Sequence, residues 1–353
     1  MHWAGAFLAL VKIALLCNLR PCDVRAGEID DAYEEYDSAL TIESVAAALR
    51  IPGRTVEPVF ADQYLPRRLE EGGYDFAFNI AEGPLGRRSR EAIAVAVCEL
   101  IGLPCTGSDI LTLALTLDKA MSRRAVSPEV PVARGVLVEA AADRRRLMEL
   151  RYPVLVKPND EGSSKGIRDN PIARDFEAAS ERCVWLQRRY GCRVLVEEFL
   201  PGPEVTIGIA GNGSGARIIG MMEIAPAHQN GAFVYSLEMK RDFVRRVRYH
   251  QPPRLSTETI ALIERNALTA YRLLGCRDCA RLDFRLDAGG RPHFIECNPL
   301  PGLHPESGDI VILSRSTLAY EQLIRGILSA AMARVESATD ETEALAFGGC
   351  STR

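Results

Sequence analysis

ARLDFRLDAGGRPHFIECNPLPGLHP, residues 280–305, carries the pattern that decides the fold of this chain. Leu282, Phe284 and Leu286 alternate with Arg281, Asp283, Arg285 and Asp287, the period of a half-buried strand. Gly289-Gly290 supplies the positive φ angles that a two-residue hairpin turn demands. A second run, Pro292 to Asn298, follows with Ile295 and Cys297 on one face. A turn at the two glycines sets Arg281 opposite Asn298, Asp283 opposite Glu296 and Phe284 opposite Ile295. Facing carboxylates repel each other. Two acids and an amide on one face suit a hard divalent cation, and Mg²⁺ takes one or two carboxylates while leaving room for substrate phosphates. The same face also reads as a solvated one on which Arg281 and Arg285 neutralise the acids, and a one-residue bulge would change the pairing.

The totals around this hairpin set bounds. A chain of 353 residues has room for two or three domains. Its 47% hydrophobic and 25% charged residues are ordinary for a globular protein. A net charge of −4 leaves no basic footprint for nucleic acid, so anion binding must come from individually placed Lys and Arg. The ten cysteines sit mostly among apolar neighbours and read as buried thiols of a reducing, cytoplasmic compartment, not a disulfide framework. Cys276-x-x-Cys279 has no second pair or nearby His and reads as chance spacing, not as zinc ligands. The opening MHWAGAFLALVKIALLCN lacks a basic start, is interrupted by Lys12 and is too short for a membrane span. It reads as a ragged extension before a buried strand, Lys12–Cys17, with a signal peptide as the other reading.

Along the chain, Ser38 or Asp37 caps a helix striped by Ile42, Val45, Ala46 and Leu49, which Pro52-Gly53 ends. Asp75–Ile80 is a buried strand, 81–90 a glycine- and arginine-rich loop, and Glu91–Leu100 a helix closed by Gly102. This alternation predicts an open parallel sheet. Asp118–Ala125 is helical, Val136–Glu139 a strand, and Tyr152–Pro158 a buried strand ending at Lys157. A small-residue loop, 159–166, follows, whose amides can approach phosphate closely. Asp175–Tyr190 is an amphipathic helix; Arg193–Phe199 and Glu204–Ala210 are strands. A break at Gly211–Gly215 marks a domain boundary, and 226–253 is irregular and basic. Ser256 caps a helix that Gly275 ends. The helix Leu318–Arg334 closes the fold before a frayed tail.

Lys119, Lys157 and Lys240 fall at element ends beside the Gly-Ser loop and the acidic hairpin. Lysines serve phosphates as point charges and Mg²⁺ bridges their oxygens. Gly162-Ser-Ser-Lys-Gly-Ile lacks the spacing of a Walker P-loop, so the pattern predicts another class of ATP site. Five runs in this order, GLPCTGSDILTLALTLDKA (102–120), YPVLVKPNDEGSSKGI (152–167), VLVEEFLPGPEVTIGI (194–209), LGCRDCARLDF (274–284) and FIECNPLPGL (294–303), make the chain resemble the D-alanine–D-alanine ligase family of ATP-grasp carboxylate–amine ligases. The resemblance implies a three-domain α/β ATP-grasp fold: a Rossmann-like N-terminal domain (1–116), a central ATP-grasp subdomain (117–212), a C-terminal subdomain with the metal site (213–335) and a flexible tail (336–353).

It also implies roles. Lys119 and Lys157 match phosphate-holding lysines, Glu197 with the Phe199-Leu200 backbone an adenine-reading strand, and Glu204 a ribose-binding acid. Asp283, Glu296 and Asn298 match ligands of Mg²⁺ or Mn²⁺. Arg281 and the Gly302 amide match the groups that stabilise a tetrahedral oxyanion, and Lys240 a lid lysine near the γ-phosphate. Glu34, or the adjacent Glu35, matches the acid that holds the first substrate's ammonium, with Ser163 its partner, and Ser307 falls where the second substrate's carboxylate binds. The implied reaction activates a carboxylate as an acyl phosphate and passes it to an amine, in a homodimeric enzyme. Three departures stand out: Lys240-Arg241 where the family has Lys-Tyr, the loop 79–90 in place of a His-Gly…Glu-Asp-Gly region, and Leu-His-Pro-Glu-Ser after Gly302. They favour substrates other than two D-alanines as a second reading, with Arg241 and the arginines at 87–90 meeting an extra acid. A third reading is an ATP-binding protein that has lost catalysis.

Overall fold

The computed structural model describes residues 10–22, 29–168, 171–228 and 233–348; the readings made for residues 1–9 lie outside them. Near the N-terminus, β1 (Val11–Cys17), α1 (Ala39–Leu49), β2 (Arg54–Phe60), α2 (Leu65–Gly72), β3 (Phe76–Asn79) and α3 (Ala92–Leu100) form a parallel sheet, ordered β2–β1–β3, with helices on both faces. The period of two along β1 decides what touches what. Ile13, Leu15 and Cys17 pack towards Ile42, Val45 and Leu49 of α1, while Ala14 and Leu16 pack towards Leu65 and Leu69 of α2 and Cys98 of α3. Ser38 caps α1, its Oγ accepting from the Thr41 amide at 3.1 Å. β2 and α2 were not anticipated, because RTVEPVF is an edge strand with a proline and little apolar alternation.

Next, α4 (Ile110–Leu117) and α5 (Lys119–Val126) meet at Asp118, which ends the first and caps the second, accepting from the Met121 amide at 3.1 Å. That corner turns Lys119 inward, where it is buried. β4 (Gly135–Val138), β5 (Val154–Pro158), β6 (Ile172–Ala173) and β7 (Val194–Glu198) form an antiparallel sheet ordered β4–β7–β5–β6. It is covered by Ala179, Cys183 and Leu186 of α6 (Phe176–Tyr190).

The third sheet runs β10–β9–β8–β11–β12 and is antiparallel throughout. Its chain order is β8 (Glu204–Ala210), β9 (Arg217–Pro226), α7 (Leu237–Arg241), α8 (Phe243–Arg246), β10 (Val247–His250), α9 (Thr257–Leu273), β11 (Cys279–Leu286), β12 (Pro292–Asn298), α10 (Asp309–Ser314) and α11 (Tyr320–Gly348). α9 covers one face, with Ile263 and Ala267 against Ile207, Leu282 and Phe284. α10 and α11 cover the other and join it to α1 and β1 in one core.

Three expectations change here. The break at Gly211–Gly215 falls between two hydrogen-bonded neighbours of one sheet, β8 and β9, so Glu204–Ala210 pairs with C-terminal strands across it. The segment expected to be irregular contains α7, α8 and β10. The backbone expected to fray after Glu336 continues α11 as helix to Gly348, in keeping with its Ala- and Glu-rich sequence.

The hairpin forms with Arg281 opposite Asn298 and Asp283 opposite Glu296, as the pattern predicts, but a bulge intervenes before Phe284, which pairs with Phe294 and not with Ile295. The turn is longer than two residues. Asp287 Oδ1 accepts from the Gly289 and Arg291 amides at 2.9 Å each, and Gly290 takes a φ of +80°. The core explains the bulge: Phe284 and Phe294 are fully buried edge-to-face partners with centroids 5.9 Å apart. One extra residue lets both reach the core while Ile295 turns with Glu296 towards the opposite side.

Candidate active site

The polar face of the hairpin is buried, not solvated. Asp283 and Arg285 are each 7% exposed, and the two arginines divide. Arg281 Nη2 lies 2.7 Å from Asp283 Oδ2 and 3.2 Å from Glu296 Oε1, and its Nη1 bonds Asp309 at the start of α10. Arg285 turns away to Glu204 (3.0 Å), the Leu200 carbonyl (2.6 Å) and the Phe233 carbonyl (2.5 Å), stacked over Phe199. Arg285 therefore takes no part in neutralising the facing acids. Lys119 closes the other side, 3.2 Å from Glu296 Oε2, while donating to the Glu161 carbonyl at 2.5 Å.

Burial raises the Asp283 carboxyl, and Glu296 raises it further, against the pull of Arg281. For Glu296 burial acts the same way, but Lys119, Arg281 and Lys157 outweigh it and hold the carboxyl low. Asp283 Oδ1 is buried with no hydrogen-bond partner, and a buried acceptor left unpaired is costly. Asn298 Oδ1 accepts from the Leu300 amide at 2.9 Å. Among the described residues no three Asp, Glu, His or Cys side chains form a metal cluster; the hairpin offers two carboxylates and one amide. That all-oxygen set, with one carboxylate oxygen orphaned, fits a hard cation shared with phosphate oxygens.

Lys157 leaves β5 to meet Glu197 on β7 at 2.5 Å, and Arg123 reaches the same carboxylate at 2.6 Å. Arg123 was not anticipated; nothing in the sequence links it to a strand seventy-odd residues away. The loop after β5 holds Ser163 and Ser164 at positive φ, 49° and 58°, a strained pair fixed from both sides. The Gly162 amide donates to Glu35 at 2.7 Å, Ser164 Oγ to the Tyr235 carbonyl at 3.0 Å, and Lys240 Nζ to Ser163 Oγ at 3.4 Å.

Two cavities meet here. The larger, of about 240 Å³, is lined by Glu34, Glu35, Ser163, Lys240, Arg281, Asn298, Gly302, Ser307 and Asp309, among others. The smaller, of about 90 Å³, is lined by Lys157, Glu204, Asp283, Ile295 and Glu296. Ser163, Lys240, Arg281 and Asp309 line both. Lys119 opens on a narrow recess between them, with Glu35, Glu82, Glu91 and Glu296. Glu197, Phe199 and Leu200 line none of the three. Asp309, central to the junction, was missed because a single Asp before an apolar run reads as a helix start.

Glu34 and Glu35 both reach the larger cavity but are differently bound. Glu34 accepts from Arg20 at 2.5 Å and Arg241 at 2.8 Å. Glu35 accepts from Arg90 at 2.5 Å and lies 3.4 Å from Lys165, and burial notwithstanding these cations hold it low. Arg90 and Arg88, expected to await an acidic substrate, are taken by Glu35 and Asp118.

Residues 130–329 match the family model described as the D-ala D-ala ligase C-terminus. The D-alanine–D-alanine ligase of Desulforudis audaxviator is 34% identical over 264 residues, 74% of this chain and 82% of that protein. The chain belongs to the D-alanine–D-alanine ligase family. A second relative, from Geobacter sulfurreducens, is 30% identical over 305 residues, 83% of this chain and 89% of that one. In fold, this family member matches the D-alanine–D-alanine ligase of Bacillus anthracis complexed with ATP (TM-score 0.70, 20% identity, 93% and 99% of the two chains). It also matches the VanG D-Ala:D-Ser ligase of Enterococcus faecalis (TM-score 0.66, 20% identity, 91% and 99%). The ATP-grasp fold expected from the resemblance is thus the fold observed. No described helix of this family member is long and apolar enough to cross a membrane.

Proposed function

We propose that this protein is an ATP-dependent ligase that joins two amino acids through an acyl phosphate, with D-alanyl-D-alanine the default product. The observation that carries this reading is the junction of two cavities at Ser163, Lys240, Arg281 and Asp309. One cavity opens on the acidic hairpin and Lys157, the other on Gly302 and Ser307. A carboxylate lying at the junction faces the nucleotide on one side and an incoming amine on the other, and such positioning replaces two encounters in solution.

Lys119, Lys157 and Lys240 hold the phosphates of ATP, and Glu204 the ribose. Asp283, Glu296 and Asn298 would hold Mg²⁺, which when bound neutralises charge on the transferring phosphoryl group. The first amino acid's carboxylate takes the γ-phosphoryl group, releasing ADP. The amine of the second amino acid, whose carboxylate Ser307 holds, attacks the activated carbonyl, and Arg281 with the Gly302 amide stabilises the oxyanion that develops. Phosphate then leaves.

A panel of D- and L-amino acids with ATP and Mg²⁺, scored by ADP release and product mass, tests this. ADP release that requires an amino acid, with a dipeptide product, is the expected result. ATP binding without any such release across the panel would sink the reading in favour of a non-catalytic nucleotide binder. Arg241 bound to Glu34 and Asp30 (2.8 and 3.2 Å) favours one narrower variant, ligation of a substrate other than alanine, because with Arg20 it places two guanidinium groups on the acid expected to hold the first substrate.

A further inference from the structure

Arg281 bonds both of the acids that would hold the metal. Its Nε and Nη2 lie 3.1 and 2.7 Å from Asp283 Oδ2, and Nη2 lies 3.2 Å from Glu296 Oε1. Its remaining nitrogen, Nη1, bonds Asp309. The three carboxylates differ in what else holds them. Glu296 also pairs with Lys119 at 3.2 Å, and Asp283 keeps one buried oxygen without a partner. Asp309 stands outside the hairpin, at the first residue of α10, where the charge of Lys240 also acts on it. That end of α10 lies against the segment of Gly302. A Cβ on Gly302 would stand 3.8 Å from the Asp309 nitrogen, and one on Gly308 would collide with the Gly302 carbonyl. The Gly308 amide donates to the His304 carbonyl at 2.9 Å and closes the loop between them. Asp309 therefore joins Arg281 to the backbone around Gly302, the two groups assigned above to the oxyanion.

A guanidinium and a divalent cation compete for the same two carboxylates. Like charges a few ångströms apart repel, most strongly where water is excluded, and a buried guanidinium that loses its acids is costly to leave unpaired. The Arg281 side chain is 11% exposed, and Asp309 is the one acid bonded to it that does not belong to the metal set. We propose that Asp309 is a positioning residue: it keeps hold of Arg281 when Asp283 and Glu296 turn to a divalent cation, and so couples cation binding to the placement of the guanidinium at the cavity junction. This rests on the ligase reading above, through the metal set assigned there.

The test needs no turnover. Mn²⁺ is titrated into the full-length protein at a fixed concentration of ADP, and free Mn²⁺ is read by electron paramagnetic resonance. D309N is expected to weaken Mn²⁺ binding about tenfold, the worth of one charge-assisted hydrogen bond. R281Q removes the competing guanidinium and should tighten it. In an R281Q background, D309N should change Mn²⁺ affinity by no more than about twofold, because the residue acts through Arg281. In steady state, D309N should lower kcat and leave the KM for ATP little changed. A tenfold loss with and without Arg281 shows that Asp309 acts by its own charge and overturns the proposal, as does no loss in either background; both leave the ligase reading standing. A wild-type protein that binds no Mn²⁺ beyond what ADP alone binds overturns the proposal together with the metal set, whereas one that binds Mn²⁺ but releases no ADP with any amino acid overturns the ligase reading. Should D309N not fold, R281Q decides: Mn²⁺ binding no tighter than in the wild type overturns the proposal.

Discussion

Asp118 shows how much one side chain can organise beside this site. It ends α4, caps α5, accepts from Asn159 at 2.8 Å and pairs with Arg88 at 2.7 Å and Arg193 at 2.8 Å, its side chain only 3% exposed. Burial raises its carboxyl, but the bonds from Asn159, Arg88 and Arg193 outweigh burial and hold it well below the usual carboxylate range. A depressed folded-state pKa means that the unfolded chain binds more protons below about pH 4, so this stabilisation is complete above that pH and is lost as pH falls. D118N is accordingly expected to cost about 2 kcal/mol at pH 7, measured by urea unfolding. The gap to wild type should close as pH drops below about 4; a gap that is constant with pH would rule out the ionic origin. Lys119, the next residue, owes its inward direction to this corner.

Between elements, α10 lies close upon its sheet. Gly208 and Gly220 are register partners on β8 and β9, and both lie under α10. A Cβ on Gly220 would stand 1.9 Å from the Leu313 carbonyl oxygen, and one on Gly208 2.6 Å from Ile310 Cδ1. Gly220 is needed there because helix backbone meets strand backbone with no room for a side chain, whereas at Gly208 the neighbours are side chains of Ile310, Ile219 and Leu313. α10 in turn delivers Asp309 to Arg281. G220A is expected to lower stability by about 1–3 kcal/mol, as overpacking does, and to reduce turnover more than other small core changes because Asp309 moves with the helix. A melting temperature within 1 °C or so of wild type would contradict the close packing.

Over the whole molecule, α7 is the piece that bridges. Lys240 reaches the Gly-Ser loop and Arg241 reaches Glu34 near the parallel sheet, so this short helix ties all three sheets together at the cavity junction. The smaller cavity, about 90 Å³, is less than a nucleotide fills, so on the proposed reading the segment carrying α7 opens and recloses to admit ATP. Trypsin should therefore cut after Lys240, Arg241, Arg245 or Arg246 in the free protein, and ATP with Mg²⁺ should slow those cuts roughly fivefold or more. Equal rates with and without nucleotide would argue that α7 is not the moving part.

The sequence by itself determined what depends on neighbours within a few residues. Short apolar runs placed β1 and β5, β7 and β8 were also read as strands, period-two alternation placed the hairpin, and Asp283 opposite Glu296 followed from that alternation and the turn glycines. The caps at Ser38 and Ser256 were legible for the same reason. Only the tertiary structure decided the rest. The bulge at Ile295 exists because Phe284 and Phe294 must both reach the core. Which acids are spent and which are free was equally illegible, since Glu34 finds Arg241 and Glu197 finds Arg123 across long stretches of chain. A carboxylate looks the same in sequence whether a guanidinium sits beside it or not. Its partner is chosen by packing at a distance, which leaves no periodic trace in the chain.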